Sequence, residues 1–362
     1  MTAPTRAGRD VDTEVLADVR MLTLTVLDSQ PADLWSALGT AGLSALGVPS
    51  TQGGAGLDLV ESAVLLRELG RRAVDSPALA NALGVLTLAR WGTARQHRKA
   101  LYPVVHDGAI LTVGLHEPSS PLTRAPRTAV HRTADGLRLD GALVAVPYAD
   151  RARHALVPAA VAGEPGLVLL DLQGPGVHRH LVPTSSGTPV HGVRFDGVAL
   201  TEGALVPGGP AALADLHRLA AAASAAYADG LVDGALALTA RHVETREQFG
   251  RPLATLQAVA QQLADVYVAS RTLHLAAEAA IGAADHHTGD DPDGDADPEV
   301  AALLAVDSAR TAIATCHHLH GGTGVDLSYP LPAFSAAARD LARLLGGPGA
   351  RLDALAARVL AC

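Results

Sequence analysis

The residues best suited to chemistry in this 362-residue chain fall in a few short stretches. The first is TREQFGRPLATLQ, residues 245 to 257. Arg246 carries a rigid, always-charged fork of N–H donors that matches a diphosphate, and Gln248 and Gln257 add amides. Phe249 is one of only three phenylalanines in the chain. Read alone, the stretch is equally a turn at Gly250-Arg251-Pro252 between two helices, with a surface arginine. The second is CHHLHGG, residues 316 to 322. A helix with histidines at 317, 318 and 320 sets at most two on one face, and no acid or cysteine stands ready as a third ligand. Zinc is therefore not expected, and a polar helix end before a glycine turn is.

Two further stretches look like ion or phosphate sites and fail on detail. DHHTGDDPDGDADPEV holds six aspartates between 285 and 297. Counted from Asp291, a calcium loop needs Gly where Ala296 stands and a bidentate Glu where Ala302 stands. A solvated inter-helix loop is expected, with His286 and His287 in it. ARLLGGPGARL, residues 342 to 352, has no strand before it and no Lys-Ser/Thr after it, so it is not a phosphate loop. It reads as a helix break, with Gly346 or Gly347 ending the helix and Pro348 barring its continuation. The glycine-rich GVPSTQGGAGL, residues 47 to 57, reads as a turn.

The elements that carry these residues come in the order helices, strands, helices. Residues 11 to about 106 show helical spacing of apolar positions, with Asp33 and Asp58 near helix starts. From Asp107 short β-rich runs follow: AILTVGLHEP, AVHRT, LRLDGALVAV, HALVPAAV, GLVLLDL and VHGVRFDGVALTEGALV. From Ala211 three long helical patterns follow, then two shorter ones. No βαβ alternation occurs, which disfavours a Rossmann or TIM architecture. The expected class is α+β, with a helical domain over 1–108, a β domain (barrel or sandwich) over 109–208 and a four-helix-bundle-type domain over 209–362.

Composition narrows the function. Hydrophobic residues make up 48% and aromatics 3%, so much of the apolar content is Ala, and closely approaching helices are expected. The net charge of −9, with no basic stripe, argues against nucleic acid. No uninterrupted apolar run long enough for a membrane span occurs, and MTAPTRAGRDVDTEV lacks the apolar core of a signal peptide. Cys316 and Cys362 make no disulfide framework, so a cytoplasmic protein is expected.

Arg-x-Gln-Phe-Gly, followed seven residues later by Gln, resembles the flavin-binding signature of the acyl-CoA dehydrogenase family. DLWSALGTAGLSALGVPSTQGGAGLDL, TVGLHEP, VRFDGVALTEGALV and HLHGGTGVDLSYPL are similar to further family segments, in the same order. The resemblance implies FAD in a cleft between the β domain and the C-terminal helices, with the signature reaching the FAD of a neighbouring subunit. It places Arg246 at the pyrophosphate, with Gln248, Phe249 and Gln257 at the flavin nucleotide. His318, with Gly321 and Gly322, falls at the adenosine contact, where the family has Gln. The implied reaction is α,β-desaturation of an acyl-CoA thioester, with electrons passed to an electron-transfer flavoprotein.

The proton-abstracting Glu of the family has no counterpart here. Its usual place falls between Leu345 and Pro348, and the alternative place falls at Ala220 or Ala221. The acids bracketing the second place are Asp215 and Asp229; Asp215 is weighed as a displaced base against a solvated helix-start acid. Two segments that touch the flavin in the family are replaced by EPSSPLTRA and ALVAVPYADRA. The expectation is a chain with no catalytic residue of its own, paired in an α2β2 tetramer with a homologous Glu-bearing subunit whose FAD site it completes. The alternatives are a homo-oligomer (such as a homotetramer) with altered flavin chemistry in secondary metabolism, or a flavin-free scaffold.

Overall fold

Aspartates set the first helix starts in the computed structural model, which describes residues 12–285 and 296–360. Asp12 caps α1 (Thr13–Asp28) by accepting the Glu14 N–H at 2.9 Å, and Asp33 caps α2 (Leu34–Thr40) through Ser36 N–H at 3.2 Å. Asp58 and Glu61 form a reciprocal capping box on α3 (Leu59–Arg71). α4 (Ala78–Trp91), α5 (Ala94–Gln96) and α6 (Tyr102–His106) complete the N-terminal helices.

Eight strands then form one sheet: β1 (Leu111–Val113), β2 (Ala129–Thr133), β3 (Gly136–Pro147), β4 (His154–Val161), β5 (Glu164–Asp171), β6 (Val177–Val182), β7 (Val190–Leu200) and β8 (Leu205–Val206). Their order is β6-β7-β3-β2-β4-β5-β8, and β1 pairs parallel with the start of β4 at His154, Ala155 and Leu156, while β2 pairs with its other end at Ala160 and Val161. Register shifts at Leu139/Gly141 and Leu143/Val146 bend β3 against β7. β6 was not among the strand-like runs of the sequence, because His178, Arg179 and His180 are all exposed and no alternation shows.

The C-terminal helices are α7 (Pro210–Thr245), α8 (Gln257–Asp285), α9 (Ala296–Val306), α10 (Ser308–His320), α11 (Leu331–Leu344) and α12 (Gly347–Val359). A two-stranded ribbon, β9 (Glu247–Gln248) with β10 (Arg251–Pro252), joins α7 to α8. The pattern read as one helix from Pro298 to His320 is two, broken at Asp307. Pro348 does not stop a helix; it sits in the first turn of α12, where its missing N–H costs nothing. Most of the aspartate-rich stretch, with His286 and His287, and Cys362 lie outside the described residues. No described helix is long and apolar enough to cross a membrane.

α7 is the central helix, buried on every side from Leu219 to Ala226. Small residues let α3 meet it backbone to backbone. A Cβ at Gly230 would lie 2.0 Å from the Arg67 carbonyl oxygen, and one at Gly70 would lie 2.2 Å from that of Tyr227. Flanking ion pairs, Arg67–Asp229 at 2.6 Å and Arg71–Asp233 at 2.8 Å, fix the pairing. Gly230→Ala is therefore expected to destabilise the chain by about 3 kcal/mol, because the obstacle is backbone and cannot rotate away. Gly282→Ala on α8, where a Cβ meets nothing within 4 Å, serves as the control and should lose no stability in urea titration.

Candidate active site

A cavity of about 480 Å³ opens between α3, α4, the sheet, α7 and α11. Leu66, Leu69, Leu83, Val113, Leu341 and Leu344 give it apolar walls. Its polar side is built by contacts distant in sequence. The Tyr148 hydroxyl donates to Asp75 Oδ1 at 2.5 Å, and Thr188 Oγ1 donates to the same oxygen at 2.6 Å. Burial and the Asp75 carboxylate push the Tyr148 phenol far above its ordinary value, so it stays a donor. Burial likewise raises the Tyr227 phenol, which donates to the Val74 carbonyl at 3.3 Å. Asp340 accepts the N–H groups of Ser185 and Ser186 at 2.9 and 2.7 Å, one on each oxygen. Both cavity carboxylates thus hold structure together across elements. Sequence reading missed this set; the one signal was that Tyr148 lies in VPYADRA, a segment flagged as departing from the family.

The helix break at 345–348 is not part of that cavity, whose lining on α11 ends at Leu344. Leu345 is fully buried. The His116 ring reaches across from the β domain: Nε2 donates to the Leu344 carbonyl at 2.9 Å and Nδ1 accepts the Leu122 N–H at 3.0 Å. Those bonds fix a neutral tautomer, and burial lowers the pKa of His116 to about 4. Pro121 covers the break so closely that a Cβ on Gly346 would lie 2.7 Å from its Cβ. Glu299 then clamps Arg124 and Arg351, each at 3.0 Å, tying the same loop to α9 and α12. EPSSPLT is therefore folded shut over the helix break at 345–348.

The acids that bracket Ala220 and Ala221 are engaged elsewhere. Asp215 is buried and bonded to Arg90 at 3.0 Å and to the Trp91 indole N–H at 2.9 Å, so it is an ion-pair anchor rather than a displaced base or a solvated acid. Asp229 is taken by Arg67 and by His274 Nδ1 at 2.9 Å.

The residues expected to face a flavin gather at one end of the C-terminal bundle. Arg246 directly follows α7, and its N–H donates to the His242 carbonyl at 2.8 Å. Gln248 lies in the ribbon, and Phe249 at its tip is 88% exposed with a φ of +54°. Gln257 opens α8 from the same end. His318 is exposed near the end of α10, followed by exposed Gly321 and Gly322. A stack of His242 on His320, with ring centroids 4.3 Å apart, joins the end of α7 to the end of α10. His320 donates from Nδ1 to the Cys316 carbonyl and accepts from the Tyr329 hydroxyl, which locks the stack. Neither His242 nor His320 was singled out as the link, since a ring stack between helix ends leaves no local pattern. Among the described residues no group of three or more His, Cys, Asp or Glu could hold a metal.

Arg246 makes no ion pair with any described residue, and Gln248, Phe249 and Gln257 are exposed beside it. This surface suits the pyrophosphate and ring of a bound dinucleotide presented from outside the chain.

The fold has close parallels among known proteins. Residues 11–107 match the model of the acyl-CoA dehydrogenase N-terminal domain, and residues 211–360 match that of the C-terminal domain. Acyl-CoA dehydrogenase FadE28 of Mycobacterium tuberculosis is 41% identical over 325 residues, covering 90% of this chain and 91% of that protein. Among solved structures, the Tcur3481-Tcur3483 steroid ACAD superposes with a TM-score of 0.86 at 32% identity, covering 96% of this chain and 97% of that one. The ChsE4-ChsE5 complex from Mycobacterium tuberculosis gives 0.87 at 27% identity, covering 97% and 99%. This chain belongs to the acyl-CoA dehydrogenase family, whose members typically bind FAD.

Proposed function

We propose that this chain is the site-completing subunit of a heteromeric, FAD-dependent acyl-CoA dehydrogenase acting on a bulky, steroid-like CoA thioester. One observation carries the reading: Gln248, Phe249 and Gln257 are exposed beside Arg246, while the stretch 345–348 holds no acid and is packed over by Pro121 and His116. Two similar structures support it, one named as a steroid ACAD and one as a complex of two differently named chains. In the assembly Arg246 pairs with the FAD pyrophosphate, Gln248 and Gln257 hydrogen-bond the nucleotide, and Phe249 covers it. His318, Gly321 and Gly322 line the adenosine end. The homologous partner supplies the Glu that takes the substrate α-proton. FAD, when bound, supplies the acceptor for the β-hydride, so that two C–H bonds are exchanged for a C=C bond. An electron-transfer flavoprotein in the cytoplasm reoxidises the enzyme.

The test is a visible spectrum of the chain purified alone and after co-expression with a Glu-bearing homologue. The expected result is a colourless chain that becomes yellow and active only in the complex. Arg246→Ala in that complex should weaken FAD retention at least tenfold, the loss of a charge-assisted pair. Full FAD occupancy and desaturase activity in the chain alone would sink the proposal.

A further inference from the structure

The turn that carries Arg246 has no buried residue of its own: residues 244–251 are all exposed. The backbone leaves α7 in extended form at Arg246, with a φ of −78° and a ψ of 121°. Two main-chain bonds tie the turn back. The Arg246 N–H donates to the His242 carbonyl at 2.8 Å, and the Leu253 N–H donates to the Arg246 carbonyl at 2.9 Å. The place of Arg246 therefore follows the last turn of α7. In that turn Val243 is buried and His242 is half-buried. The His242 ring lies on His320 of α10 with an interplanar angle of 23°.

His320 is held against swinging. It is 4% exposed, donates to the Cys316 carbonyl at 2.8 Å and accepts from the Tyr329 hydroxyl at 3.2 Å. Burial lowers the pKa of both rings, and charge on His320 and Arg246 lowers that of His242 further. Both are neutral at pH 7 and stack without repulsion. Beyond the stack, exposed His318, Gly321 and Gly322 stand at the same end of α10. A ligand that touches two separate elements pays for ordering both, unless their spacing is fixed before it binds.

We infer that His242 and His320 are a positioning pair, which holds the Arg246 turn at a fixed offset from His318, Gly321 and Gly322 before a dinucleotide bridges them. The ligand rests on the site-completing reading above; the offset is a property of this chain alone.

Hydrogen exchange read by mass spectrometry on the full chain tests the offset. His242→Ala is expected to speed exchange over residues 246–253 at least tenfold, as the turn opens locally. His242→Phe, which keeps a flat ring on His320, should restore the native rate. Unchanged exchange over residues 219–226 shows that both variants are folded. In the complex with a Glu-bearing homologue, His242→Ala should release FAD about fivefold faster, in line with the loss of one ring stack, and His242→Phe should not. Native exchange in His242→Ala, a phenylalanine no better than alanine, or faster exchange with unchanged FAD release would overturn the inference. A complex that holds no FAD would instead overturn the site-completing role, and the exchange rates would still decide whether the stack fixes the turn.

Discussion

A glutamate introduced at position 346 is expected to destabilise the chain by about 3 kcal/mol and to confer no desaturase activity. Gly346 has a φ of +79°, a conformation that costs a residue with a Cβ roughly 1–2 kcal/mol. Its Cβ would also press on Pro121 at 2.7 Å, and a proline ring cannot swing away, which adds about 1–3 kcal/mol. Gly347 shares the φ of +79° but has nothing within 4 Å of a built Cβ. Gly347→Glu should therefore show only the smaller, conformational loss. Urea titration of the two variants separates the contributions. Activity is expected from neither, because the lining of the cavity ends at Leu344. A Gly346→Glu chain that desaturates an acyl-CoA by itself would show that only the acid is missing, and that the folded-over loop is no obstacle.

The second large effect is acid lability well above the carboxylate range. Burial, the leading cause in each case, lowers the pKa of His116 and His154 to about 4 and that of His217 to about 3. Lys99 adds to the shift at His154, and Arg124 and Arg351 add to it at His217. In the unfolded chain each titrates near 6.5. Between that value and the folded one the unfolded state binds more protons, so stability falls with pH. The contribution is whole above about pH 6.5, fades as pH drops toward 4, and at roughly 1.4 kcal/mol per unit sums to several kcal/mol. That is comparable with the net stability of an ordinary domain. Urea midpoints at pH 7 and pH 4.5 should differ sharply. His116→Gln retains an amide for the Leu344 carbonyl and the Leu122 N–H but cannot titrate, so it should flatten the pH dependence. A midpoint that is the same at both pH values would refute this account.

What could be read from the sequence followed from local pattern. Helical spacing and the aspartates at 33 and 58 gave the N-terminal helices, and β-branched runs bounded by Gly and Pro gave most of the sheet. β6 escaped because an edge strand with both faces wet has no apolar alternation to reveal it. The break at Asp307 escaped because apolar spacing continues through it. The residues around Arg246 came from family resemblance rather than periodicity, and the His242–His320 stack that joins the two helix ends beside them left no local pattern. The cavity rim was out of reach, since Asp75 and Thr188 are 113 residues apart and each alone reads as an ordinary loop residue. The glycine break at 345–348 was legible in the sequence, but the way His116 and Pro121 pack over it was not.

α7 runs for 36 residues, with His217 near its start and Arg246 just past its end. At 1.5 Å per residue those two positions are about 44 Å apart along the axis, far beyond the range over which substitutions couple through shared contacts. The helix therefore insulates its two ends from each other: a substitution packed around His217 is not felt at Arg246 through shared contacts, and the two ends can vary separately.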